Sequence, residues 1–282
     1  MVHIITDTTS CLSAEIAQKY KIPVIPQVIN FGEESFYEGI DISNEEFIQR
    51  LKSSPVLPKT AAPPPELFRR EFERLRPDEQ PVLCIHPSAE VSGTVRSAII
   101  AAGDFPEMDI RVIDTRSVAS PLGTMTTHAA QWAAEGLQVD EIEARVKEMA
   151  LRCRIYFLVD TLEFLARGGR IGGASALLGS MLQIKPILRM HEGRVDQYER
   201  ERTHKRAVAR IKEIVLEQVP TDGTGDLTIM EAGALPEAQA LAKEMSILVN
   251  QDEIQIYKMP PAIITHGGPG ILAAGFFCKK CE

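Results

Sequence analysis

The chain has 282 residues, 44% of them hydrophobic and 25% charged, and its 31 basic against 39 acidic side chains give a formal net charge of −8. This composition fits a globular protein of one large domain or two joined ones, with enough chain to bury a core and a pocket. The negative field repels nucleic acid and anionic lipid surfaces, and no apolar run approaches the roughly 18 residues that span a bilayer.

The first segment, Met1-Val2-His3-Ile4-Ile5-Thr6-Asp7, lacks the basic start of a signal peptide, so a cytoplasmic location is expected. Residues 2–6 read as a β-branched strand closing on Asp7, a good Asx-turn or N-cap residue. Ser13 is placed to cap a helix over 14–20. Residues 24–31 read as one strand. Ser43 and Glu46 have capping-box spacing and open a helix over 45–52. Pro55, Pro58, Pro63, Pro64 and Pro65 exclude a helix interior and put Thr60 in a stiff loop. Leu67, Phe68, Phe72 and Leu75 then mark one helix face. A strand at 82–85, a helix at 95–102, a strand at 110–113 and helices at 122–134 and 140–151 follow. Strands alternating with helices predict a mainly parallel sheet covered on both faces.

The pattern changes after residue 158. A strand at 155–159 leads to Arg167-Gly168-Gly169-Arg170, and strands at 186–190 and 195–200 flank Glu192-Gly193, a hairpin signal. Helices at 205–219 and 235–249 alternate with strands at 227–230 and 253–258. His266 stands in a Gly/Pro-rich stretch, His266-Gly267-Gly268-Pro269-Gly270, read as a loop. The fold class is therefore α/β in two domains. Residues 1–158 form a mainly parallel α/β sandwich and residues 159–282 an α+β domain. The basic run through Arg200, Arg202, Lys205, Arg206 and Arg210 reads as a solvated helix face.

Few residues suggest chemistry. Ser92-Gly93-Thr94 stands between a strand and a helix, where hydroxyls and free backbone N–H groups either cap the helix or bind an anion or carboxyl group. Thr60, read alone, is a turn residue. Paired with Ser92 it supplies two hydroxyls that can donate to a carboxyl group without a cation. Arg170 is either a surface charge or a phosphate contact. There is no nucleophile elbow, zinc-protease motif, P-loop or dinucleotide fingerprint, and the six histidines lack metal-ligand spacing. Five cysteines are an odd number; Cys11, Cys84 and Cys153 read as small core residues, and Cys278 and Cys281 as terminal residues without a metal partner set. Neither a metal nor a cofactor is expected. A serine-dependent acyl hydrolase using Ser92 and His266 is the alternative reading.

Taken in order, several motifs resemble the DegV family of bacterial fatty acid-binding proteins. They are Ile5-Thr6-Asp7-Thr8-Thr9, Pro58-Lys59-Thr60 with Pro63, Ser92-Gly93-Thr94 with Ser97-Ala98, the run from Asp160 to Ile171, Ile184-Lys185-Pro186-Ile187-Leu188, Arg202-Thr203-His204-Lys205, and the His266 stretch. The resemblance implies two α/β domains with one long-chain fatty acid buried in a tunnel between them. It implies a carboxyl group held by Thr60 and Ser92, with His266 close by and Gly93 and Thr94 in support. It further implies a carrier rather than an enzyme, serving a fatty acid kinase, for which Arg170, Arg202 and Lys205 are candidate partner or phosphate contacts. Phe164, Leu178, Met181 and Phe276 are candidate tunnel residues. Departures from the family pattern fall at Ala61-Ala62, where a Ser-Gln pair is common, and at His86–Val91, where two serines and a leucine are common.

Overall fold

The computed structural model describes residues 2–54, 56–178 and 184–279. The chain divides into two compact units. One comprises Met1–Leu151 with Pro260–Ala262, the other Arg152–Met259 with Ile263–Glu282.

In the first unit the elements run β1 (His3–Asp7), α1 (Ala14–Tyr20), β2 (Val24–Ile25), β3 (Val28–Phe31), β4 (Glu34–Tyr37), α2 (Asn44–Ser53), β5 (Lys59–Ala61), α3 (Pro65–Leu75), β6 (Val82–His86), α4 (Thr94–Ala102), β7 (Ile110–Asp114), α5 (Ser120–Ala134) and α6 (Val139–Arg152). Strands β2-β1-β6-β7 form a four-stranded sheet with every pairing parallel. The wholly buried β6, apolar from Val82 to Ile85, is what a sheet covered on both faces requires. Along β1 the faces alternate. Ile5 joins Phe68, Phe72 and Leu75 of α3 and Ala98 and Ala101 of α4 in one core cluster. Thr6, one residue on, meets Thr126 of α5 at 3.4 Å. Helix α5 lies close enough there that a Cβ at Gly123 would overlap the Ser10 carbonyl oxygen.

Helix ends follow the expected side chains. Ser13 caps α1 by accepting from the Ile16 N–H, and Ser43 and Glu46 form a complete capping box on α2. Residues 24–31 are two strands rather than one. Pro26, without an N–H, ends β2, which stays in the parallel sheet, while β3 pairs with β4 and β5 in a separate antiparallel sheet. The interruption turns the Gln27 side chain inward, where it is 3% exposed.

The second unit continues with β8 (Cys153–Leu158), α7 (Glu163–Arg167), β9 (Lys185–His191), β10 (Arg194–Glu201), α8 (His204–Gln218), β11 (Thr228–Ala232), α9 (Leu235–Leu248), β12 (Ile256–Lys258), α10 (Pro261–Gly267) and β13 (Ile271–Phe277). Its sheet, in order β10-β9-β8-β13-β11-β12, is antiparallel except for the parallel β11–β12 pair. The β9–β10 hairpin turns on Glu192 and Gly193, both at positive φ, as a two-residue hairpin requires. Ile211, Ile214 and Val215 of α8 and Leu241 and Met245 of α9 bury Leu158, Ile187, Ile229 and Phe276 of the sheet. The sequence puts the domain boundary at 158/159, whereas the compact units divide at Leu151/Arg152. The cause is β8, whose backbone pairs with β13 and β9.

Candidate functional site

In the first unit, polar side chains collect at the carboxyl end of the parallel sheet, where open α/β sheets present their ligands. Ile5 pairs with Cys84, so two residues on Asp7 stands level with His86 across β1 and β6. Both are 0% exposed. His86 Nδ1 lies 2.8 Å from Asp7 Oδ2 and, facing a carboxylate oxygen, donates to it. The Phe68 ring meets the His86 ring edge-on, at 5.3 Å between centroids. Asp7 Oδ1 accepts from the Thr9 N–H at 3.0 Å, from Thr9 Oγ1 at 2.6 Å and from Gln27 Nε2 at 3.1 Å. Asp7 is thus the N-cap of the short turn Thr8–Ser10, as its place after a strand predicts.

Gln27 carries the network onward. Its Nε2 also donates to Thr94 Oγ1 at 2.9 Å, and Thr94 Oγ1 lies 2.8 Å from Ser92 Oγ. The Thr94 N–H completes the turn by donating to Ser92 Oγ at 3.3 Å. Thr94 is 0% exposed, whereas Ser92 is partly exposed, so the run leads from the core to accessible surface. The cap of α4 is Gly93, which makes no side-chain cap bond. Ser92, one residue before that cap, is bonded to both the hydroxyl and the N–H of Thr94, the first residue of α4.

A second acid lies beside this run. Glu38, 3% exposed, accepts from Thr8 Oγ1 and from the Ala262 N–H at 2.7 Å, and Thr8 Oγ1 in turn accepts from the Gln27 N–H at 3.1 Å. Burial pushes the Glu38 carboxyl up to about 7, against those hydrogen bonds. Burial, with Glu38 and Asp7 nearby, raises the Cys11 thiol far above its usual range, so it is no thiolate nucleophile.

Thr60 belongs to β5, opposite Ile29 of β3, and not to a loop: prolines at 58 and 63 bracket an extended stretch that an antiparallel partner takes up. The segment after it approaches the Ser92 turn, since a Cβ on Gly93 would sit 3.2 Å from Ala62 Cβ. Gly93, having no Cβ, leaves room for the Ala62 side chain at this approach. The sequence marks Asp7 as a turn or cap residue and His86 only as part of a departure from the family pattern, and it points to no site role for Gln27 or Glu38. The available signal was a pair of polar residues ending two neighbouring parallel strands.

In the second unit His266 lies in the last turn of α10, a short helix, rather than in a loop; the glycine stretch begins only where that helix ends. A Cβ at Gly168 would overlap His266 Nδ1, and one at Gly268 would collide with the Phe164 ring. These two glycines let the α7 and α10 segments meet. Burial, with the Arg170 guanidinium adding to it, lowers the His266 imidazole to about 4, so it is neutral at pH 7. Arg170 Nη1 donates to the Gly168 carbonyl at 2.6 Å. Arg202 and Lys205 are exposed beside the start of α8. Arg210 is ion-paired with Glu199, Glu213 and Glu217, so that part of the basic run is a neutralised surface. Of the expected tunnel residues, Phe276 is buried in the second unit's core, Leu178 is 53% exposed and Met181 lies outside the described residues, as does Cys281. Among the described residues no His/Cys/Asp/Glu group is arranged to hold a metal ion, and no helix is long and apolar enough to cross a membrane.

A family model described as "Uncharacterised protein, DegV family" matches residues 1–279. A DegV domain-containing protein of Streptomyces coelicolor is 35% identical over 274 residues, covering 96% of each chain. One of Halalkalibacterium halodurans is 32% identical over 99% of each. Among solved structures, the chain superimposes on a fatty acid-binding DegV family protein from Thermus thermophilus with a TM-score of 0.90 at 29% identity, covering 99% of both chains. A fatty acid-binding DegV family protein from Streptococcus agalactiae gives the same TM-score and coverage at 27% identity.

Proposed function

The chain belongs to the DegV family, and on that premise we propose that it binds one long-chain fatty acid, holds the carboxyl group through hydroxyls, and presents that group to a partner enzyme without itself catalysing a reaction. The observation that supports this most strongly is the likeness, over 99% of both chains, to proteins that bind fatty acids. The first unit's own chemistry fits the reading. Ser92 is a partly exposed hydroxyl at the end of a buried polar run, and the β5 segment carrying Thr60 leads directly to the Ala62–Gly93 approach. Neutral donors hold a carboxyl group more loosely than a guanidinium fork does, which suits a carrier that must release or expose it. The acyl chain supplies the affinity, at about 0.8 kcal/mol for each buried CH₂.

His266, neutral at pH 7, is in this reading a third hydrogen-bonding group near the carboxyl, with Gly93 and Thr94 shaping the Ser92 turn. A fatty acid kinase is the proposed partner, and Arg170, Arg202 and Lys205 its phosphate or surface contacts. Fatty acid titration of the Thr60→Ala/Ser92→Ala double variant tests the head-group site. Each lost hydrogen bond weakens binding by about 0.5–1.5 kcal/mol, more for an ionised carboxylate. Unchanged affinity in a folded double variant places the head group elsewhere. For the partner, Arg170→Ala and Arg202→Ala should lower acyl-phosphate formation by a cognate kinase while leaving fatty acid affinity intact. Equal losses in both assays would move the arginines to the ligand.

A further inference from the structure

The side-chain hydrogen bonds of the first unit have a direction that can be worked out proton by proton. Asp7 Oδ1 accepts from three donors, Thr9 N, Thr9 Oγ1 and Gln27 Nε2. The Gln27 amide cannot be turned the other way, because its oxygen would then face a carboxylate oxygen. Its NH₂ group has two protons. One goes to Asp7 Oδ1 and the other to Thr94 Oγ1. Thr94 is 0% exposed, so its own hydroxyl proton needs an acceptor inside the protein, and Ser92 Oγ lies 2.8 Å away. Ser92 Oγ then accepts from the Thr94 hydroxyl and from the Thr94 N–H. With its acceptor capacity taken up on the protein side, the Ser92 hydroxyl turns its own proton outward, to the accessible side.

We infer that Asp7, acting through Gln27 and Thr94, fixes Ser92 as an outward-pointing donor and so sets the site's preference for a head group that only accepts, a carboxylate, over one that also brings a proton, such as an alcohol. Asp7, Gln27 and Thr94 are positioning residues in this scheme; none needs to touch the ligand. His86 holds the far oxygen of Asp7 and keeps the carboxylate turned toward Gln27. The inference rests on the proposed function, in that it takes Ser92 as a head-group contact. It adds the residues that give that contact its polarity and the ligand class the polarity selects.

The predicted effect is on a ratio. Palmitic acid and 1-hexadecanol share a chain and differ at the head. The alcohol can donate as well as accept, and binds whichever way Ser92 is turned. In Asp7→Asn the Thr9 N–H still requires an acceptor, so the amide oxygen takes the Oδ1 place, Gln27 keeps its orientation and the acid-to-alcohol ratio should stay near the wild-type value. Thr94→Val removes the relay hydroxyl at nearly constant shape and with it the donor that holds the Ser92 proton outward. Affinity for the acid should fall by up to about tenfold, the range for a lost hydrogen bond to a charged group, while affinity for the alcohol stays within about twofold, so that the acid-to-alcohol ratio drops. Thr94→Ser should restore it.

The experiment is competitive binding of the two lipids to the wild type, Ser92→Ala, Asp7→Asn, Thr94→Val and Thr94→Ser, with circular dichroism and melting curves for each. Because buried Asp7→Asn can unfold the protein, Thr94→Val against Thr94→Ser is the deciding pair. A reduced ratio in Thr94→Val that Thr94→Ser recovers supports the relay. A loss shared equally by acid and alcohol, or no loss, in folded Thr94→Val overturns it. If Ser92→Ala itself leaves acid binding unchanged, the head-group site is wrong and the relay falls with it. If Ser92→Ala weakens the acid but Thr94→Val does not shift the ratio, the site stands and only the relay is refuted.

Discussion

The Asp7–Ser92 run of the first unit and His266 of the second bury polar groups by different means. In the first, Asp7, Gln27, Thr94 and Ser92 are linked by consecutive hydrogen bonds, so each buried group has its donor or acceptor defined by the next. In the second, His266 is enclosed by segments that glycines allow to meet, and burial beside Arg170 keeps it uncharged near neutral pH. A linked network fixes the direction of protons and so can confer preference for one head-group chemistry. An enclosed imidazole is neutral by desolvation, and it charges only if the surroundings open or the pH drops far.

This contrast has a pH signature of opposite sign in the two units. Glu38, in the first, has its carboxyl raised from an ordinary 4.5 to about 7, chiefly by burial. The native state binds that proton more tightly than the unfolded chain does. Its contribution to stability is therefore fully present below pH 4.5 and is lost as pH rises toward 7. His266 is lowered from 6.5 to about 4, also chiefly by burial. There the unfolded chain binds the proton more tightly, so stability is lost as pH falls from 6.5 toward 4. At about 1.4 kcal/mol per pKa unit, each effect is of order 3 kcal/mol, less for the partly exposed His266. The wild-type profile should therefore be nearly flat between pH 4.5 and 6.5. Urea unfolding of Glu38→Gln should show stability rising with pH over that window, and His266→Gln should show it falling. Profiles with the same slope in both variants would break the contrast.

A smaller effect checks the local reading of the first unit. Ser43→Ala removes the side chain that accepts from the Glu46 N–H, and with it half of a capping box. It should lower stability by about 1 kcal/mol without changing lipid binding, measured on the same unfolding and titration curves. A loss of binding would mean that α2 is coupled to the site.

What was legible in the sequence was local. The Ser43/Glu46 cap, the Glu192-Gly193 hairpin and the buried face of α3 depend on residues a few positions apart, and each formed as its spacing predicts. The mainly parallel first sheet followed from the alternation of strand and helix. What escaped depends on register. Asp7 and His86 are 79 positions apart and meet only because β1 and β6 run parallel in the register Ile5 to Cys84. Gln27 entered the network because Pro26 split a stretch that reads as one strand. Thr60 and His266 read as loop residues because proline and glycine dominate their neighbours, yet a short strand partner and one helical turn are enough to order them. The motifs shared with the DegV family carried the functional expectation further than periodicity could.

The most direct test of the central claim is the content of the purified protein. The wild-type chain should be washed free of loose lipid, denatured, extracted and analysed by mass spectrometry against a known amount of protein. The account predicts one long-chain fatty acid for each chain, at close to stoichiometric yield, with less in the Thr60→Ala/Ser92→Ala variant. Protein that emerges without lipid and takes up no fatty acid when offered it would contradict the account.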